Sequence, residues 1–98
     1  MISKVQIQGL ILEALQNVKE SEPVYQSLAL NEGTILLGEG SSLDSIAFTH
    51  FVVGFEERME NATGEEYEFQ LDKFYDQLPL TVDYLAGQVA SQWQAKGA

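Results

Sequence analysis

Phe48, Phe51, Val52, Phe55 and Met59 recur at helical spacing and put a broad face of large apolar side chains on one stretch of chain. A helix with such a face has to be covered by other elements, which the rest of the chain must supply. Ile46, Thr49 and Val53 fall on a second, flanking face of the same stretch. Asp44 stands where an N-cap belongs, Glu56, Glu57 and Glu60 crowd the far end around Arg58, and Asn61 to Gly64 supply a stop. The pattern predicts a helix over residues 44–60.

Two further stripes can pack against it. Ser3 and Gln6 fit a capping box, and Ile7, Leu10, Ile11, Ala14, Leu15 and Val18 follow as one amphipathic stripe, predicting a helix over residues 4–19 that Pro23 prevents from continuing. Val82, Leu85, Ala86, Val89 and Trp93 form the last stripe, with Thr81 at the cap and Asp83 near the positive helix start, predicting a helix over residues 81–93 and a fraying end. Between these, Tyr67, Phe69 and Leu71 alternate with polar residues as a short extended piece. Asp72 can cap a short helix over residues 72–77 that buries Phe74. Residues 20–42 read as a long connection, interrupted by Pro23, Gly33, Gly38 and Gly40. Its Val24, Tyr25, Leu28, Leu30, Ile35, Leu36 and Leu37 imply a loop packed over the core. The expected fold class is all-α: a small four-helix bundle with one short helix and long connecting loops, a single domain over residues 1–98.

Fifteen acids against five bases give a formal charge of −10, which disfavours nucleic acid and anionic membranes as partners and favours proteins with basic docking surfaces. No stretch has the length of a membrane span and the N-terminus lacks a signal-peptide core, so no membrane association is expected and the cytoplasm is the expected compartment. The chain has no cysteine and one histidine, His50, so a zinc site is not expected and any thiol chemistry needs sulfur from outside the chain. Gly38-Glu39-Gly40 lacks the lysine and preceding strand of a phosphate cradle, and the acids are too unpatterned for a calcium loop. No nucleophile–base pair stands out, and the chain is not expected to be an enzyme.

The most informative segment is Leu36-Leu37-Gly38-Glu39-Gly40-Ser41-Ser42-Leu43-Asp44-Ser45-Ile46, followed by the helical run Ala47 to Glu57. It resembles the acyl and peptidyl carrier family, whose members carry Asp-Ser-Leu or Asp-Ser-Ile after a glycine-containing loop at the start of the second helix. Leu80-Thr81-Val82 and the stripe after it are similar to the family's last helix. The resemblance implies a 4'-phosphopantetheine arm attached covalently to Ser45, beside Asp44. The arm would carry acyl intermediates as thioesters and present them to partner enzymes in a specialised lipid or secondary-metabolite pathway. It further implies Ile46, Val53, Glu56 and Glu57 as partner-docking residues. The implied partners are a phosphopantetheinyl transferase and acyl-loading and acyl-transfer enzymes, acting on a monomer. Where many members carry acids two residues after the serine and a turn later, this chain has Ala47 and His50, which points to a dedicated partner set.

Local helix chemistry independently favours the same position. Ser45 would sit in the first turn of a helix, where outward-pointing amides and the helix dipole favour a phosphodiester. Other readings stay open at this point. Ser45 could be an unmodified serine of the cap region, or Ser42 the attachment site. Ile46 and Val53 could be core, and the acids a solvated face. The cargo could be aminoacyl or peptidyl, or the whole domain an unmodified acidic helical adaptor.

Overall fold

The computed structural model describes residues 2–22, 30–41, 43–70 and 79–97. Three helices dominate it: α1 (Lys4–Ser21), α2 (Ser45–Thr63) and α3 (Val82–Gly97). Two short strands, β1 (Ile35–Leu37) and β2 (Leu80–Thr81), pair antiparallel with Ile35 opposite Thr81 and Leu37 opposite Leu80. The mostly helical class agrees with the sequence expectation. The strand pair does not follow from it: residues 35–37 were expected as loop. Among the described residues the helices number three. The short helix expected over residues 72–77, with Phe74, lies outside the described residues, as do Val24, Tyr25, Leu28 and Ser42.

Each helix begins and ends for a local reason. Ser3 and Gln6 close the capping box in both directions, with Ser3 N–H donating to Gln6 Oε1 at 2.8 Å and Gln6 N–H to Ser3 Oγ at 3.2 Å. α1 runs to Ser21 and stops where Glu22, the residue before Pro23, takes an extended conformation. α2 runs three residues past its expected end. The left-handed residue that terminates it is Gly64 (φ 74°), the last residue of the expected stop, and the Gly64 amide donates to Glu60 O at 2.8 Å.

The strand pair explains how α3 starts. Val82 N–H donates to Thr34 O at 3.0 Å and Asp83 N–H to Glu32 O at 2.9 Å, while Tyr84 N–H donates to Thr81 Oγ1 at 3.2 Å. Three of the amides that a helix start leaves without internal partners are thus satisfied by the connection and by the expected cap residue. This is the physical reason residues 32–37 are ordered beside α3 rather than looped loosely over the core.

The apolar stripes meet as expected. Ile7, Ile11 and Leu15 of α1, Phe51, Phe55 and Met59 of α2, and Val82, Leu85 and Val89 of α3 are fully buried, and Leu36 closes the end of the core from β1. α1 and α2 approach closely where Gly54 faces Ala14: a Cβ at Gly54 would lie 3.8 Å from Ala14 Cβ. Lys4 Nζ pairs with Asp83 at 2.9 Å across α1 and α3, an exposed pair that contributes little.

Candidate functional site

The approach to α2 is a tight turn. Gly38 (φ 104°) and Gly40 (φ 88°) occupy left-handed backbone that other residues rarely adopt. A Cβ on Gly40 would also sit 3.2 Å from Ile35 Cδ1. Ser41 fastens the exit from this turn: its amide donates to Gly38 O at 3.1 Å, its hydroxyl to Leu36 O at 3.0 Å, and Leu43 N–H donates to Ser41 Oγ at 3.2 Å. The turn therefore ties the β1 strand to the start of α2 and fixes the direction in which the helix leaves.

Asp44 is the N-cap, as expected, with extended backbone (φ −82°, ψ 178°) and Oδ1 accepting from Ala47 N–H at 2.7 Å. Ser45 is the first helical residue and is exposed. Among the described residues its hydroxyl has no hydrogen-bond partner, whereas its carbonyl accepts from Thr49 Oγ1 at 2.8 Å. No acidic residue lies in the first turn of α2, so an anion on Ser45 would meet the positive helix end and the outward amides of Ser45 and Ile46. A phosphodiester thus fits the chemistry of this position, and a bulky group on the hydroxyl displaces nothing in the core.

The rest of α2 divides by face. Ile46 and Val53 remain 67% and 51% exposed, so neither is core, and they share one side of the helix with the exposed Thr49, His50 and Glu57. Ala47, by contrast, is buried at 2% exposure. An acid at that position would be taken out of water, which accounts physically for its absence there. Glu60 is exposed, but Glu56 is half-buried, and its Oε2 accepts from Phe69 N–H at 2.9 Å. Of the two acids expected to dock partners, Glu57 faces solvent and Glu56 is already engaged with the chain that follows α2. Sequence reasoning did not reveal that contact. The alternation of Tyr67 and Phe69 was its one trace.

An open groove lined by Ile2, Val5, Leu10, Ala62 and Trp93 lies near the other end of α2. Ala62 is seventeen residues from Ser45, about 26 Å along a helix axis, so the groove is separate from the Ser45 site. Among the described residues no three potential metal ligands converge, and no helix is long and apolar enough to cross a membrane.

Comparison with known proteins finds no matching family model, curated protein or solved structure.

Proposed function

We propose that the chain is a carrier protein that holds an acyl group as a thioester on a 4'-phosphopantetheine arm at Ser45, working as a cytoplasmic monomer with no catalytic activity of its own. The observation that carries this reading is the combination at one end of α2. An exposed serine whose hydroxyl has no hydrogen-bond partner among the described residues is the first residue of the helix, behind an aspartate cap, with exposed Ile46 and Val53 on the helix beyond it. The arm supplies the thiol that a chain without cysteine lacks. The tether turns encounters between cargo and a docked enzyme into intramolecular ones at high effective concentration. Ile46, Val53 and Glu57 provide an apolar and acidic surface for a partner whose docking site is basic. Glu56 stands beside them with part of its carboxylate engaged internally.

The exposed face of α2 would equally suit an unmodified adaptor, and an aminoacyl or peptidyl cargo would use the same serine. Intact mass after incubation with coenzyme A and a broad-specificity phosphopantetheinyl transferase tests the reading directly. Wild type should gain one phosphopantetheine, and Ser45→Ala should gain none while keeping its stability within about 0.5 kcal/mol, as for an exposed side chain without partners. A gain that survives in Ser45→Ala moves the site to Ser42. No gain on folded wild type supports the adaptor reading.

A further inference from the structure

After Gly64 the chain turns back along the helix it has just left. Within residues 65–70, Tyr67 and Phe69 face inward while Glu66, Glu68 and Gln70 are exposed. The Phe69 ring meets Phe48 edge-on with centroids 6.0 Å apart, and Tyr67 meets Phe55 edge-on at 5.5 Å and leans on Trp93 at 5.8 Å. Beneath them Phe51 and Phe55 stack at 5.8 Å, and Phe48 lies 6.0 Å from Phe51. No helix or strand includes residues 65–70. Their hold on α2 includes ring contacts, the Thr63 hydroxyl that bonds the Glu65 backbone, and the Glu56 carboxylate that receives the Phe69 amide at 2.9 Å. Burial first, and the charge of Glu56 second, push the Tyr67 phenol above its ordinary range.

We propose that Glu56 latches residues 65–70 as a strap over the ring row Phe48, Phe51 and Phe55, and that releasing the latch bares this row to an apolar guest. An amide donating to an ionised carboxylate makes a stronger bond than one donating to a neutral acceptor, so one side chain can add substantially to the hold on a segment outside the helices and strands. Glu56 is half-buried at the surface, close enough to solvent for a cation on a docked protein to compete for it. Docking and strap opening would then share a residue. That the guest is the apolar end of a tethered cargo rests on the carrier reading; the latch does not.

The test uses the full chain without any arm attached. Exchange of the Phe69 amide with deuterium and uptake of the neutral fluorophore N-phenyl-1-naphthylamine are measured for wild type, Glu56→Ala, Glu56→Gln and Phe69→Ala. Glu56→Ala should speed Phe69 exchange roughly tenfold, the loss of about one hydrogen bond's worth of protection, and raise dye uptake severalfold. Glu56→Gln keeps an acceptor oxygen and should fall between the two. Phe69→Ala removes the strap's anchor, leaves the latch residue in place, and should also raise uptake. Continued protection of the Ile11 and Leu15 amides, in the fully buried stripe of α1, shows that the bundle is intact. Unchanged Phe69 exchange in folded Glu56→Ala overturns the latch. Faster exchange with no added dye uptake in either Glu56→Ala or Phe69→Ala overturns the guest site. Failure of the carrier reading would appear separately, as wild type that gains no phosphopantetheine while the strap readouts behave as stated.

Discussion

Phe51 and Phe55 stack ring on ring with no surface left in water, whereas Ile46 and Val53, on the same helix, keep 67% and 51% of theirs exposed. The helical repeat that marks the first pair also marks the second. The difference between them is what covers each face. α1 and the strap at residues 65–70 close over the rings, while no element of the described structure packs on Ile46 or Val53. Exposure alone would mean little, since Val5 on α1 is 79% exposed and single apolar residues on a surface are common. The second face of α2 is distinguished by position. Its two apolar residues are a heptad apart on one side of the helix, and the first of them directly follows Ser45.

The comparison is broken most severely by Phe55→Ala. A fully buried ring that stacks on Phe51 and meets Tyr67 edge-on should cost about 3–5 kcal/mol when truncated, through lost burial and the cavity left behind. Equilibrium denaturation in urea measures it. A loss below about 1 kcal/mol, less than a typical core truncation, would mean that the buried face of α2 is not what holds the bundle together.

The buried face was legible in the sequence because helical periodicity and core packing are the same constraint. Ile7, Ile11, Leu15, Phe51, Phe55, Leu85 and Val89 all lie where their stripes placed them. Caps were legible too: Ser3, Asp44 and Thr81 each accept the amide expected of them, because capping is a local reaction of side chain with backbone. The strand pair was not legible. Ile35, Leu36 and Leu37 form a strand because they lie against Leu80 and Thr81, while the Glu32 and Thr34 carbonyls accept the first amides of α3, contacts between segments far apart in sequence that no local pattern encodes. The same holds for Glu56, whose partner at Phe69 lies thirteen residues on and around a turn. At the candidate site, the position and exposure of Ser45 followed from the cap. That Ile46 and Val53 would stay in water did not follow, since their periodicity fits either a core or a surface.

A smaller effect sharpens the comparison from the strap's side and appears only in alkali. Tyr67 packs against the buried face, and burial above all, with the charge of Glu56 adding to it, raises its phenol above the free value of 10.0. In the unfolded chain the phenol ionises first. Its contribution to stability is therefore fully present below pH 10 and drains away as the pH climbs through the raised value. The informative quantity is the difference between wild type and Tyr67→Phe, which isolates this one phenol. Wild type should lose more stability than the variant between pH 9 and pH 11, followed by urea midpoints, and the two should run parallel from pH 6 to pH 8. Equal losses in alkali would place Tyr67 in water.

The smallest change in stability is expected on the exposed face, and it is the one that separates surface from core most cleanly. Ile46→Ser and Val53→Ser each remove apolar area that folding leaves largely in solvent, so each should move the urea midpoint by no more than about 0.5 kcal/mol. In α2, Val53→Ser exchanges a β-branched residue for one of similar helix propensity, so intrinsic preference should not mask the result. The same substitutions should slow modification by the transferase several-fold if this face meets protein partners, because an apolar contact absent from the free chain would be lost only in the complex. Stability that holds while modification slows would show that the second face of α2 serves encounter and not folding. A loss of stability comparable to that of Phe55→Ala would instead make Ile46 and Val53 part of the core, and the proposed docking surface would have to be sought elsewhere.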